Sequence, residues 1–391
     1  MNRVLITGAT GFIGGRLAEV TCGLGVPTVA LVRQWSRAAR LSRLPVEMAY
    51  VDILDLDALR RAVQGCDTLF HCAVDFRRTG RAHRRSSVDG TRNVLQAARD
   101  ARVARVVFLS TTAIFGRAPR PGVLTETDPT PHSGAIYGDA KIDAERIALD
   151  FHQRHRLPVA ILRPTIVYGP FSRTWVEELA EAIRDRRMVL VNGGSGICNA
   201  LYVDNLIDAM LLAARHPAAP GEIFHISDAK TVTWKEFIEA IARGLGEGHL
   251  PLPEMTLKEI EAARARSAHR GPSSIRQAAR VLRDPRMREA LRSIPLVARL
   301  EAMGKAVART LLPEAGQRMA RDAFGRWGGT AGGEAAGPRP PQFLRPGLIS
   351  LFATTTTYSI EKAQRVLGYE PRIDFPTGMR LTAAWMNWAR L

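Results

Sequence analysis

The chain has 391 residues, 46% hydrophobic and 24% charged, and its 55 Lys and Arg against 38 Asp and Glu give a formal net charge of +17. That size predicts two lobes, or one large α/β unit with an addition, and that composition excludes a fibrous repeat and general disorder. No apolar run approaches the roughly 20 residues needed to cross a bilayer, which excludes a transmembrane protein. The excess charge is almost all arginine, spread through every segment and not interleaved with aromatics, so no nucleic-acid partner is expected. The N-terminus shows no signal-peptide pattern, and Cys22, Cys66, Cys72 and Cys198 form no CxxC pair and no zinc-ligand spacing. Reduced thiols, no metal and a cytoplasmic location are expected.

In chain order, the pattern predicts a strand at 4–7, a glycine turn, a helix at 14–23 and a strand at 28–32. A strand at 47–51, a helix at 56–63, a strand at 68–72 and a helix at 88–100 follow. Next come a strand at 105–110, a helix at 137–152 and a strand at 158–163. Strands alternating with helices of this length predict a parallel sheet covered on both faces, the doubly wound, Rossmann-type α/β arrangement. Short strands at 189–190, 201–203 and 223–226 come next, then a helix at 234–245 behind Thr233.

Around Glu254 the pattern changes. As far as Trp327 the period is helical and Ala and Arg dominate, and 328–347 is a Gly/Pro-rich loop that cannot hold regular structure. A strand at 354–358, a helix at 360–367 stopped by Gly368 and a closing helix at 378–391 complete the chain. The expected organisation is a Rossmann domain over 1–170 with later returns around 197–226. A smaller α/β substrate lobe comes from 171–253 and 351–391, and a basic helical insertion with its loop spans 254–350.

Within the insertion, Leu296, Leu300, Met303, Val307 and Leu311 form one helical stripe, with Lys305 and Arg309 opposite. It reads as a cap helix on the substrate lobe, as a peripheral contact with an anionic membrane through 276–312, or as a helix for a partner protein's groove.

The stretch TGATGFIG, Thr7 to Gly14, lies between the first strand and first helix, where glycines allow a tight turn and the helix N-terminus offers N–H donors to a pyrophosphate. Gly8, Gly11 and Gly14 are the expected phosphate-loop residues, with Thr10, Phe12 and Ile13 counted in the same site. The second strand runs into Arg33, with Ser36 and Arg37 behind it and no carboxylate in reach. An arginine there accepts the 2′-phosphate of NADP, so NADP is favoured over NAD; the alternative is a solvated surface arginine. Asp52, with Ile53 beside it, is placed to meet the adenine edge, although a plain helix N-cap would look similar. In YGDAK, Tyr137 and Lys141 stand at i and i+4 on one helix face, where an ammonium and the positive nicotinamide would together bring a phenol toward the operating pH range.

Together TGATGFIGG, VDGTRNV from Val88, STTAIFG from Ser110, YGDAK and RPTIVYGP from Arg163 resemble the extended short-chain dehydrogenase/reductases over residues 1 to about 250. KAQRVLGYEP, 362–371, resembles that family's C-terminus. The resemblance implies a hydroxyl–Tyr–Lys triad. Counting back from Phe115 and Gly116 puts the hydroxyl on Thr111, with Ser110 and Thr112 as near alternatives. It further implies Tyr137 as proton donor and acceptor, Lys141 on the nicotinamide ribose, and His71, Ala73, Pro164 and Val167 around the cofactor. A homodimer through the helices 88–100 and 137–152 is also implied.

The family includes nucleotide-sugar epimerases and dehydratases, steroid dehydrogenases and dihydroflavonol-type reductases, so fold does not choose the substrate. Ile166 stands where the sugar-nucleotide enzymes usually carry a diphosphate-binding Asn. V-D-N, 203–205, and the long insertion resemble the 3β-hydroxysteroid dehydrogenase branch. A secondary alcohol/ketone oxidoreductase on a hydrophobic or lipid-like small molecule is the favoured expectation. A nucleotide-sugar epimerase or dehydratase is the alternative, and a non-catalytic NAD(P)-binding interaction protein the third.

Overall fold

The computed structural model describes residues 1–74, 80–116, 119–248, 251–268 and 346–391. Its centre is set by short apolar runs such as Val4–Thr7, buried along its whole length. A strand with no polar face must be covered on both sides. Seven strands form one sheet, all but the edge strand β3 largely buried: β1 (Val4–Thr7), β2 (Thr28–Val32), β3 (Val46–Tyr50), β4 (Thr68–His71), β5 (Arg105–Leu109), β6 (Val159–Pro164) and β7 (Ile223–Ile226). All pair in parallel, in the order β3-β2-β1-β4-β5-β6-β7. The chain winds outward from β1 to β3 and then resumes at β4 on the other side of β1. Connections therefore leave β1 and β4 in opposite directions and open a crevice at their C-terminal ends.

The helices between the strands are α1 (Phe12–Gly23), α2 (Leu56–Ala62), α3 (Gly80–Asp100) and α4 (Ile136–His155). Leu59, Val94, Ala98, Ala144 and Phe151 from α2, α3 and α4 pack on Leu5, Leu69, Phe108 and Ile161 of the sheet. Further along run α5 (Glu178–Arg184), α6 (Val203–Arg215) and α7 (Trp234–Gly244), and α6 packs against α1. Thr233 starts α7 with a capping box: its hydroxyl accepts from Glu236 N, and the Glu236 carboxylate accepts from Thr233 N.

Three expectations need correction. α3 begins at Gly80, eight residues before the predicted start. His83, Ser87 and Thr91 are buried at helical spacing, so its inward stripe is polar there and gave no apolar period. α6 was not placed: short strands were expected among helices here, with no bounds given for the helix between them, and Val203, expected to end a strand, begins it. Helix Pro346–Phe352 starts inside the stretch read as unable to hold regular structure, where a first-turn proline presets the helical φ.

Two short strand pairs support the crevice: Ile166–Tyr168 with Ala200–Tyr202, and Gly122–Leu124 with Thr356–Tyr358. The chain divides into two compact units, Met1–Leu257 with Pro341–Leu391, and Lys258–Pro340. Of the second, the described part continues the helix Leu257–Ala268. The amphipathic stripe at 294–312 and the arginines proposed for a membrane surface at 276–312 lie outside the described residues. Among the described residues, no helix is long and apolar enough to cross a membrane.

Candidate active site

The glycine loop turns at the end of β1 so tightly that its residues have no substitutes. Gly8 has φ +71°, and a Cβ there would lie 2.8 Å from Ala73 N; a Cβ on Gly14 would overlap the Gly8 carbonyl oxygen. Gly11 caps α1 with no side-chain hydrogen bond, and the first turn holds no acidic residue. Gly11 is exposed and Thr10, Phe12 and Ile13 are half-buried. A glycine cradle facing an uncapped helix N-terminus fits a pyrophosphate. Arg40 braces the same turn, donating to the Phe12 carbonyl (3.3 Å) and to Glu19 (2.6 Å), with its guanidinium 4.2 Å above the Phe171 ring. Sequence patterning gave no sign of that contact.

His71 belongs to the support of the crevice rather than its lining. Thr7 Oγ1 lies 2.8 Å from Nδ1, Thr91 Oγ1 lies 2.9 Å from Nε2, and Thr7 Oγ1 also accepts from Ala73 N at 3.1 Å. Because the Thr91 hydroxyl donates to Ser87 O (2.6 Å), Nε2 must carry the imidazole proton. Burial, helped by Lys141, pushes His71 down to about 3, so the ring stays neutral. The VDGTRNV stretch has a similar role. Thr91 holds His71, Asn93 donates to Ile53 O (3.2 Å), and a Cβ on Gly90 would meet Ile53 Cδ1 at 2.6 Å.

At the adenosine rim, half-buried Arg33 follows β2 directly, and a short turn, Trp35–Arg37, comes next. Asp52 accepts from Leu54 N (3.0 Å), whereas Asp55 caps α2, so Asp52 is not the helix cap. Trp35 stacks on Tyr50 at 6.0 Å, an exposed aromatic pair that sequence patterning did not single out.

Tyr137 and Lys141 lie one turn apart on α4, and a short turn, Thr112–Phe115, follows β5 beside them. A Cβ on Gly138 would stand 2.7 Å from Ala113 O, so the glycine of YGDAK lets the turn press against the helix. Asp139 of the same motif secures the preceding loop, accepting from Ser133 N (2.8 Å) and Gly134 N (2.9 Å). Of the three neighbouring hydroxyls, that of Thr111 offsets part of the effect of burial on the Tyr137 phenol, while its oxygen accepts from Ala113 N at 3.1 Å. Thr112 donates to Pro164 O (3.3 Å), and Ser110 Oγ is buried without a partner among the described residues. His83 from α3 packs edge-on against Tyr137. Val167 is buried, and Pro164 ends β6 at the mouth of the crevice.

The expected lowering of the phenol draws on Lys141 together with the positive nicotinamide; within the chain itself the amine is held by the backbone. Lys141 Nζ donates to Leu109 O (2.8 Å) and sits 4.8 Å over the Phe108 ring. Burial dominates at Tyr137 and pushes it up to about 12, opposed by the Thr111 hydroxyl, so the phenol is protonated, the form that donates to a carbonyl oxygen. Lys141 itself is lowered by burial from 10.5 to about 8. Between those values the unfolded chain holds a proton that the folded chain lacks, so this residue's contribution to stability rises with pH across that window. Below pH 8 the cost of the buried ammonium, about 3 kcal/mol for a displacement of this size, is fully present. Lys141→Met is expected to raise the melting temperature at pH 7, with the gain fading toward pH 10.5. Calorimetry at both pH values checks it, and a lower melting temperature at pH 7 would contradict it.

The V-D-N stretch is committed to structure. Asp204 pairs with Arg16 of α1, while Asn205 donates to Asp228 (2.7 Å) and Ile373 O (2.8 Å) and accepts from Arg372 N and Ile373 N.

A cradle at the switch point of a doubly wound sheet, with Thr, Tyr and Lys gathered on the next turn and helix, defines an extended short-chain dehydrogenase/reductase. Residues 4–227 match the NAD dependent epimerase/dehydratase family, and the chain belongs to it. It is 30% identical over 296 residues to a 4-hydroxy-2-methyl-3-oxo-4-farnesyl-3,4-dihydroquinoline-1-oxide ketoreductase of Stigmatella aurantiaca, covering 74% of this chain and 85% of the relative. A Mycobacterium tuberculosis 3 beta-hydroxysteroid dehydrogenase/Delta 5-->4-isomerase is 31% identical over 264 residues, 63% of this chain and 70% of the relative. In fold it is similar to a dTDP-glucose 4,6-dehydratase of Streptomyces venezuelae solved with NAD and TYD bound, with TM-score 0.66 and 19% identity over 99% of this chain and 98% of that one.

Proposed function

We propose that this protein is an NADP-preferring oxidoreductase that interconverts a ketone and a secondary alcohol on a hydrophobic, lipid-like or steroid-like substrate. The observation that carries the reading is Tyr137, one turn from Lys141 on α4 and beside the turn that Thr111 caps, next to a dinucleotide cradle. The names of the two relatives, a farnesylated quinoline ketoreductase and a steroid dehydrogenase, support the substrate class. When bound, the nicotinamide supplies or takes the hydride. Thr111 orients the substrate oxygen, and Tyr137 gives its proton to that oxygen in reduction and recovers it in oxidation. Lys141 binds the nicotinamide ribose, and Gly8, Gly11 and Gly14 hold the pyrophosphate. A nucleotide-sugar dehydratase or epimerase is the second reading, favoured by the likeness to the Streptomyces enzyme. Ile166 opposes it, because an apolar side chain cannot hold a diphosphate.

Arg33 supports NADP. Arg33→Asp is expected to reverse the preference toward NAD, since a carboxylate repels the 2′-phosphate and accepts from the ribose hydroxyl. Wild-type protein that binds NAD as tightly as NADP would contradict the premise. Purified protein should be assayed with NADPH and NADH against ketosteroids, prenylated ketones and nucleotide sugars, following nicotinamide absorbance and, separately, sugar products. Oxidation of NADPH by an apolar ketone is expected. Conversion of a nucleotide sugar without net absorbance change would establish the second reading instead.

A further inference from the structure

Arg40 joins the glycine cradle to a ring from far along the chain. A Cβ on Gly15 would stand 3.0 Å from Arg40 Nη1, so the last glycine of TGATGFIGG leaves room for the guanidinium beside the first turn of α1. That nitrogen donates to Phe12 O at 3.3 Å, and Nε donates to Glu19 Oε1 at 2.6 Å. The Phe12 carbonyl shares one planar peptide unit with the Ile13 N–H, a first-turn donor that has no acceptor inside the helix. A cation bonded to the carbonyl end of that unit therefore fixes the direction of the N–H at its other end, which is a donor offered to the pyrophosphate.

The guanidinium also lies 4.2 Å from the centroid of the Phe171 ring. Phe171 has φ +69°, a backbone region that bulky residues rarely adopt, and it is 38% exposed. Its turn is closed by Ser172 N donating to Gly169 O (3.1 Å) and Ser172 Oγ to Val167 O (3.2 Å). The ring rests 5.1 Å from that of Trp385, on the helix Phe375–Trp388. Strain at a half-exposed phenylalanine does not serve the core. It fixes the place of one ring, and that ring meets the cation on the cradle.

We infer that Phe171 is a positioning residue for the dinucleotide, acting through Arg40: its ring keeps the guanidinium on Phe12 O and so keeps the α1 N-terminus in the orientation that receives the pyrophosphate. The inference rests on the dinucleotide cradle of the proposed function and not on the ketone. Calorimetric titration of the full chain with NADP and with NAD tests it. Phe171→Leu leaves every hydrogen-bond donor of Arg40 in place and removes the aromatic face; it is expected to raise both Kd values about fivefold. Phe171→Tyr keeps the face and should stay within about twofold of wild type. Arg40→Leu should raise both values about tenfold, and the Phe171→Leu/Arg40→Leu double variant no further, because the ring then has no cation to hold. The pyrophosphate is common to both cofactors, so the ratio of the two Kd values should not move in any of these variants.

Kd values within about twofold of wild type in a folded Phe171→Leu protein, even one with a lowered melting temperature, would make the stack a structural contact only and overturn the inference. A rise confined to NADP in Arg40→Leu would put Arg40 on the 2′-phosphate and overturn it too, as would losses that multiply in the double variant. Wild-type protein that binds neither nucleotide would refute the cradle itself and the inference with it.

Discussion

Tyr137→Phe is expected to lower kcat about a thousandfold, the loss that follows when a positioned proton donor is removed from the transition state. The substitution is small in every other respect. Phenylalanine keeps the ring against His83, leaves Gly138 against Ala113 O and does not touch the glycine cradle. Cofactor affinity, read by quenching of protein fluorescence, should stay within about twofold of wild type, which separates lost chemistry from lost binding. Turnover near the wild-type value would remove Tyr137 from the mechanism and leave Thr111 or water as the proton source.

The second large effect is on stability. Tyr137, Lys141 and Glu145 stand at i, i+4 and i+8 on α4. The lowest of the three makes a two-pronged ion pair with Arg163 of β6: Nη2 to Oε2 at 2.7 Å and Nε to Oε1 at 3.0 Å, the side chains 4% and 6% exposed. Glu145→Ala leaves a guanidinium in the interior with, among the described residues, one remaining acceptor, the Glu126 carbonyl at 3.3 Å. A loss of about 3–5 kcal/mol is expected, enough to lower the melting temperature by on the order of 10 °C. Glu145→Leu with Arg163→Met should recover most of it, because two apolar side chains need no partners. Denaturant titration of the single and double variants checks both statements. A loss under about 1 kcal/mol in Glu145→Ala would mean that water reaches the guanidinium.

The sheet was legible because most of its strands are short, largely apolar runs between turn-forming residues, the edge strand VEMAY being the exception. Tyr137 and Lys141 were legible because a four-residue spacing puts them on one helix face, and Gly8 and Gly14 because only glycine fits where they stand. What escaped depends on contacts distant in sequence. Gly138 gains its meaning from Ala113, Asn205 from Arg372 and Ile373, and the turn beside Thr111 from Tyr358. Local pattern also misplaced the start of α3, whose inward face is made of His83, Ser87 and Thr91 instead of apolar residues. Spacing fixes which residues share a face, but it does not tell where a lysine amine ends: Leu109 O holds the amine of Lys141.

Thr356 bonds to the Arg120 carbonyl, a residue 236 positions earlier in the chain. During synthesis Arg120 leaves the ribosome first, and at about 5–20 residues per second its partner follows some 10–50 s later. The turn bearing Thr111 therefore waits, in every newly made molecule, for a segment that has not yet been translated. Until then the strand Gly122–Leu124 lacks its parallel partner, Thr356–Tyr358.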